Sequence, residues 1–423
     1  MKAINQSDTP VGNQAALSTW IICAVCFCVM SVDGFDTAAI AYVAPSLTRL
    51  WNLGHAAMTP AFVATSAGAV VGYVASGIIV RTMPRRKMIL LAMLLFGGFS
   101  FLTIISPGIA VISVIRFFTT VCLGVVVPGA ISVAADSAPD DARASATIAA
   151  TTGLSVGAAL GGLLSPRLIA GFGWEAVFVV GGLVPILLLP LVWHTLPSGD
   201  EPTVSQGVAH HAAHESSWLR QAKTLFSPQH LSDTVTVWMV AFFSFFVSYL
   251  FVFWTPMLLL SMGFSTENAP VGVAASALGG IAGNLLLFAL ATRLGIQRSL
   301  LITISVAIAC IAVFQIGGLD RWAVLLLIFG VGVGTTSLCA GQSALATVLF
   351  PAALRTTSVG NAAAIGRVGA IMGPSAGGIL ISFGVSSQHV VLLSCIPLCV
   401  VAFVLSISRK LARKSTTPEP KRP

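Results

Sequence analysis

Long apolar runs, separated by short polar ones, fill almost the whole chain. They cover residues 18–43, 59–80, 88–106, 108–133, 144–169, 176–194, 233–260, 270–292, 299–317, 322–349, 356–382 and 388–408. Each is about the length of a helix that crosses the hydrocarbon core, which takes roughly 20 residues. The pattern predicts an all-α integral membrane protein with twelve transmembrane helices. A large water-soluble helical core is excluded, because runs of this kind leave no polar face for solvent. Several runs carry Gly and Pro, which membrane helices tolerate where neighbours satisfy the freed backbone groups.

The interruptions organise the runs. The longest polar stretch, 195–232, divides them into six and six. The expected units are an N-terminal tail (1–17), a six-helix bundle (18–194), a linker (195–232), a second six-helix bundle (233–408) and a C-terminal tail (409–423). The halves repeat each other. Pro45 matches Pro256, Gly68 and Gly72 match Gly279 and Gly283, and Lys87 matches Arg298. Further on, Pro139 and Arg143 match Pro351 and Arg355, and Gly157, Gly161 and Gly162 match Gly373, Gly377 and Gly378. A parallel duplication of six spans marks a two-bundle transporter whose site lies between the halves. The small-x-x-x-small steps let helices pack closely.

Composition agrees. Hydrophobic residues make up 56% of the chain and charged residues 9%, against about 25% charged in a soluble domain. Basic residues alternate by loop. One set of segments holds Lys2, Arg81, Arg85, Arg86, Lys87, Arg143, Arg220, Lys223, Arg293, Arg298, Arg355 and a cluster from Arg409 to Arg422. The other set holds only Arg49, Arg167 and Arg321. The positive-inside rule then predicts that both termini are cytoplasmic, and the cytoplasmic (inner) membrane is the expected location. The rule also accounts for the net charge of +8 without any nucleic acid. The first seventeen residues are polar and the first run is long enough to span, so no cleaved signal peptide is expected. Cys23 and Cys26 have redox or zinc spacing, but they lie within the first span, where cysteine behaves as a small hydrophobe. His210, His211 and His214 in the linker lack a completing Cys or Asp and are read as solvated. No metal or other cofactor is expected. No nucleotide loop, zinc set or nucleophile–base pair occurs, so the chain is not expected to be an enzyme.

Four charged residues fall deep inside spans, away from their ends: Asp33, Asp36, Arg116 and Arg367. A charge near the bilayer centre costs roughly 2.5–3.5 kcal/mol on insertion scales, so such residues normally face a polar cavity or one another. These four break the repeat. Asp33 maps to Ser244, Asp36 to Val247, Arg116 to about Leu327, and Arg367 to Thr151 or Ser155. Architecture alone would place them in both halves. Asp33 and Asp36 are three apart and share a helix face. Two carboxylates so close in a dry cavity cannot easily both ionise, which suits proton carriage. Asp36 sits nearer the outer half of its span. The plainer alternative is that one of them simply pairs with Arg116. Each guanidinium offers a planar fork for a carboxylate. Phe35, Tyr42, Tyr249 and Trp254 are candidate flanks for a flat ligand, although aromatics in spans more often serve packing.

These residues also carry a resemblance. The six-plus-six pattern resembles the major facilitator superfamily. Asp33-Gly34-Phe35-Asp36 resembles the first-helix signature of its aromatic acid:proton symporter family. Arg116-Phe117-Phe118-Thr119 with Gly124 and Pro128, Asp136-Ser137-Ala138-Pro139 with Arg143, Trp254-Thr255-Pro256, and Gly366-Arg367-Val368-Gly369 with Gly373-Pro374 are similar to later motifs. The resemblance implies import of a small aromatic carboxylate, of the benzoate or hydroxyphenyl type, coupled to proton entry. It implies proton coupling by Asp33 and Asp36, substrate binding by Arg116 and Arg367, and gating by Arg81, Arg85, Asp136, Arg143 and Arg355. Two departures stand out. Arg81 occupies the place of an Asp that helps latch the gate, and Gly173-Trp174-Glu175 reverses the charge of the usual Gly-Trp-Arg. Rival readings are a facilitator for a dicarboxylate or sugar acid, a drug/proton antiporter, and a sensor that binds without transport. Ala158 stands where exporters carry a fifth-helix Pro, which argues against export. The expected partners are the acid, protons and the bilayer, with the monomer as the working unit.

Overall fold

In lipid a chain must satisfy its own backbone N–H and C=O groups, and a helix does so within one segment. In the computed structural model, which describes residues 11–139, 142–197, 224–316 and 318–416, every apolar run is helical. The helices are α1 (Val11–Leu50), α2 (Thr59–Ile79), α3 (Arg85–Ile104), α4 (Ile109–Ser137), α5 (Arg143–Phe172), α6 (Glu175–Thr195), α7 (Leu231–Ser261), α8 (Val271–Leu294), α9 (Ile296–Val313), α10 (Arg321–Leu349), α11 (Ala352–Ser382), α12 (Ser387–Leu393) and α13 (Cys395–Thr416). They make 12 membrane-length crossings, and no strand occurs among the described residues. The last crossing, read from sequence as one span, is broken at Ser394. Pro397 has no N–H to donate back toward Leu393, so a new helix starts there, with the proline in its first turn. His210, His211 and His214 lie outside the described residues.

The sequence repeat reappears as a repeat of packing. In the first half α2 lies on α4 and α1 on α5; in the second, α8 lies on α10 and α7 on α11. Glycine permits each approach. A methyl group on Gly68 or Gly72 would overlap the Phe117 or Val121 carbonyl oxygen of α4, and one on Gly279 or Gly283 would overlap that of Phe329 or Val333 in α10. Gly157 meets Ser31 of α1 in the same way, and Gly369 and Gly373 meet Phe242 and Phe246 of α7. Lipid gives apolar helices no hydrophobic reason to associate, so close van der Waals contact of this kind does the work.

The face that holds the start of α1 and the ends of α2, α4 and α6 carries Arg81, Arg85, Arg86 and Lys87; we call it the basic face. The bundles join toward the opposite, far face. There Phe62 of α2 stacks on Phe253 of α7 at 5.0 Å and meets Trp254 edge-on at 5.1 Å. Gly162 of α5 touches Pro270 and Ala274 at the start of α8, and Gly378 of α11 touches Thr59 at the start of α2. One apolar core runs through this junction, from Tyr42, Leu47 and Phe62 to Phe251, Trp254 and Met257. Toward the basic face the N-terminal bundle has a separate core, with Cys26, Met30, Met88, Phe96 and Val126. The molecule is therefore sealed on one side and divided on the other.

Gly157→Ala is expected to lower the melting temperature of the detergent-solubilised protein, with an overpacking cost of about 1–3 kcal/mol. Gly98→Ala, where an added methyl meets nothing within 4 Å, is expected to leave melting unchanged or raise it. Equal melting of the two variants would show that the α1–α5 approach is not tight.

Candidate functional site

Helix α1 stands at the border of the N-terminal bundle. Three residues turn a helix by about 300°, so Asp33 and Asp36 point about 60° apart. That difference separates their surroundings. Asp36 is fully buried and points into the bundle. Arg116 of α4, equally buried, donates from Nη1 to Asp36 Oδ2 at 2.9 Å and from Nη2 to the Asp36 carbonyl oxygen at 2.6 Å. Ser100 Oγ of α3 donates to Asp36 Oδ1 at 2.9 Å. The guanidinium lies 5.8 Å from the Phe178 ring of α6, and its Nε has no partner. Four helices thus meet on one ion pair inside the bundle. Arg116, expected from sequence to bind substrate, is placed on Asp36 with no exposed surface.

Asp33, about 60° round the helix, lies on the side of α1 where Arg367 of the second bundle acts on it. Thr37 Oγ1 donates to its Oδ1 at 3.4 Å. Arg367 of α11 and Arg116 both lie within electrostatic reach of it. Arg367 crosses the divide: its guanidinium sits 3.8 Å from the ring centre of Tyr73 on α2 and 5.5 Å from that of Phe245 on α7. Tyr249 also acts on Arg367 electrostatically, and its ring stacks on Phe245 at 6.1 Å with planes 19° apart. Gly366 makes room for Phe245, since a methyl there would overlap the ring. Ser248 and Cys339 meet at 3.3 Å between α7 and α10. Tyr73, Phe245, Ser248, Tyr249, Cys339 and Arg367 are each only partly buried although they lie within spans. Polar groups left partly open inside a span line a cavity rather than lipid.

The other expected aromatics lie elsewhere. Phe35 packs edge-on against Tyr42 at 6.0 Å. Tyr42 donates its hydroxyl to the Ala158 carbonyl oxygen of α5 at 2.9 Å, and Trp254 donates Nε1 to the Pro374 carbonyl oxygen of α11 at 3.1 Å. Both are buried, and they occupy equivalent places in the two halves. Of the four aromatics singled out, only Tyr249 joins Arg367. Tyr73 was missed, although scarcity marks it: the chain has just 3 tyrosines, and two of them flank Arg367. On the basic face Arg85 pairs with Asp136, bracing α3 against α4 within one bundle. Arg355 Nε donates to the Phe350 carbonyl oxygen at 3.2 Å within the other bundle. Arg81, in the turn after α2, and Arg143, at the start of α5, are exposed. No group of three or more metal-ligating side chains occurs among the described residues.

Breaking a buried ion pair from one side leaves an uncompensated charge, at a cost of about 3–5 kcal/mol. Asp36→Asn is therefore expected to lower the melting temperature and the folded yield well below those of Asp33→Asn, with fluorescence-detected size exclusion as the check. Equal losses would show that Arg116 does not depend on Asp36.

The sequence profile of the Major Facilitator Superfamily matches residues 26–360. The chain is 29% identical to the gallate transporter of Pseudomonas putida, over 94% of this chain and 93% of that protein. It is 27% identical to the 4-hydroxybenzoate transporter PcaK of Acinetobacter baylyi, over 96% and 94%. Its fold matches the crystal structure of a D-xylose-proton symporter with a TM-score of 0.72 at 16% identity, covering 91% of this chain and 97% of that one. A match over most of the sequence, the duplicated six-helix bundles and the charged cleft between them agree: the chain belongs to the Major Facilitator Superfamily.

Proposed function

We propose that this protein imports a small aromatic carboxylate together with protons, by alternating access across the cytoplasmic membrane. The observation that carries the reading is Arg367: a guanidinium of one bundle lying on Tyr73 of the other, within reach of Asp33. A largely buried arginine among Tyr73, Phe245 and Tyr249 suits a flat monoanion, with the carboxylate on the fork and the ring against aromatic faces. The names of the gallate and 4-hydroxybenzoate transporters support the same class. The bias of Lys and Arg makes the basic face cytoplasmic, so the far-face seal closes the outside and the described state faces inward. The monomer, which holds both bundles, is taken as the transporting unit.

Coupling follows from charge. An ionised Asp33 and a substrate carboxylate compete for one cation. A proton on Asp33 removes one of the two anions, so proton and substrate binding favour each other. Asp36 is already held by Arg116 and Ser100 and acts as the fixed brace of the bundle. Loading with both keeps the cleft neutral, as Asp33 and Arg367 keep it when empty, whereas a carboxylate alone would carry an uncompensated charge into the dry closed state. Arg85, Asp136, Arg143 and Arg355 brace the basic face, and Arg81 alters the latch between α2 and α3.

The test is uptake into proteoliposomes under an inward proton gradient, with labelled benzoate, 4-hydroxybenzoate, a phenylpropionate, a dicarboxylate and a sugar acid. Protonophore-sensitive accumulation of an aromatic acid is expected; accumulation of only the dicarboxylate or sugar acid would overturn the substrate class. Asp33→Asn is expected to abolish accumulation but retain substrate exchange at equal pH, and full accumulation by that variant would remove Asp33 from coupling. Arg367→Lys keeps the charge but loses the fork. Its affinity is expected to fall about tenfold, the scale of one charge-assisted hydrogen bond; unchanged affinity would make Arg367 a structural clamp.

A further inference from the structure

Hydroxyl groups in membrane helices normally bond back to a carbonyl of their own helix. The serines and threonines around the cleft largely do so. Ser244 donates to Val240, and Thr255 donates to Phe251 at 2.5 Å. Thr335 donates to Val331 at 3.0 Å, Ser337 to Val333 at 2.5 Å and Ser375 to Ile371 at 2.8 Å. Near the centre of the molecule Thr37, Ser100 and Ser248 instead pair with another side chain. For two of them the partner is a carboxylate, Asp33 or Asp36, which accounts for the choice. For Ser248 it is the Cys339 thiol at 3.3 Å, a weak donor and a weak acceptor. Ser248 thus holds hydrogen-bonding capacity at the cleft that no strong partner consumes.

Its position gives that capacity a direction. Ser248 lies three residues after Phe245, hence on the same side of α7, about 4.5 Å further along the axis. The Phe245 ring lies 5.5 Å from the Arg367 guanidinium. Cys339 in turn lies within electrostatic reach of Arg367 and Tyr249. Both side chains are only partly buried. An aromatic carboxylate anchored on Arg367 and laid along the Phe245–Tyr249 stack would therefore bring the remote edge of its ring toward this pair.

We propose that Ser248 and Cys339 form a recognition point for a ring hydroxyl, so that the transporter selects hydroxylated aromatic acids over unsubstituted ones. This rests on the transport function proposed above. A hydroxyl on the ring both donates and accepts, and replaces the thiol as the partner of Ser248. The thiol gives up little when it is displaced. An unsubstituted ring leaves the serine with its weak partner and gains nothing. Selectivity of this kind exceeds what an apolar slot of the same shape gives, because the polar group is matched only by the right ligand.

The experiment is competition in proteoliposomes. Benzoate and 4-hydroxybenzoate are compared as inhibitors of labelled benzoate uptake for the wild type, Ser248→Ala, Cys339→Ala and Cys339→Ser. The wild type is expected to prefer the hydroxylated acid. In Ser248→Ala that preference is expected to fall about three- to tenfold, the scale of one neutral hydrogen bond. Cys339→Ala is expected to lower it less, and Cys339→Ser to preserve it. Measurable benzoate uptake by each variant shows that it is folded. A preference unchanged in both alanine variants, with uptake retained, would make the pair a helix-packing contact and overturn the recognition point alone. Failure of the wild type to take up any aromatic acid of the panel above would overturn the transport function, and this proposal with it.

Discussion

The constraint that everything else obeys is the cost of holding charge inside a hydrocarbon layer. Four charged side chains stand deep inside spans, and the structure treats them in two ways. Asp36 and Arg116 are closed on each other, with Ser100 completing the carboxylate and the Asp36 carbonyl sharing the guanidinium. Such a pair is not cheap to bury, and its geometry must be good for the attraction to repay the lost hydration. Here α1, α3 and α4 are bound to one point, so the N-terminal bundle has an interior that resists rearrangement. Asp33 and Arg367 are left half-answered at the border between bundles. A charge without a complete local partner is where a ligand or a proton has something to offer. The division of labour follows from three residues of helix: one carboxylate turned inward, the other turned toward the cleft.

The glycines supply the second half of the argument. In each half two consecutive glycines serve different bundles. Gly161 lies on Tyr42 and Gly377 on Trp254, each an aromatic of its own half. Their neighbours Gly162 and Gly378 instead face the start of a helix in the other half. One step of helix therefore fixes the bundle and lets the opposite bundle close on it. Contacts of this kind are broad and directionless. They can be made and broken without stranding a polar group, as a seal that opens and closes requires. Hydrogen bonds hold the inside of each bundle, with ion pairs added in the first, while small residues and aromatics meet at the far-face junction.

How much of this was legible in the sequence differs by kind of feature. The twelve crossings, their division and the glycine spacing were readable because length and repetition do not depend on where side chains point. The break at Ser394 was not, since hydropathy runs straight through it and only Pro397 marks it. The intramembrane charges were readable as important, because each costs too much to be incidental. Their roles were not. Spacing alone shows that Asp33 and Asp36 are neighbours; it does not show on which side of 60° the bundle wall falls. Arg116 and Arg367 look alike in sequence, and only tertiary packing separates a buried brace from a residue at the cleft. The same limit applies to Phe35, Tyr42 and Trp254, which serve packing here, and to Tyr73 and Phe245, whose helices carry no charge at those positions.

The asymmetry between the halves is the last step. Packing repeats in the two bundles, glycine for glycine, and Tyr42 with Ala158 answers Trp254 with Pro374. Charge does not repeat. The first bundle holds both acids and the internal arginine; the second holds the arginine at the cleft. A symmetric scaffold allows two bundles to rock about a common centre, but a symmetric charge pattern would give each bundle its own internal answer and nothing to exchange. Placing the acid on one side and the base on the other makes them balance each other across the cleft. Any ligand that lets the bundles close must then preserve that balance. A carboxylate arriving with a proton does that, and either one arriving alone does not.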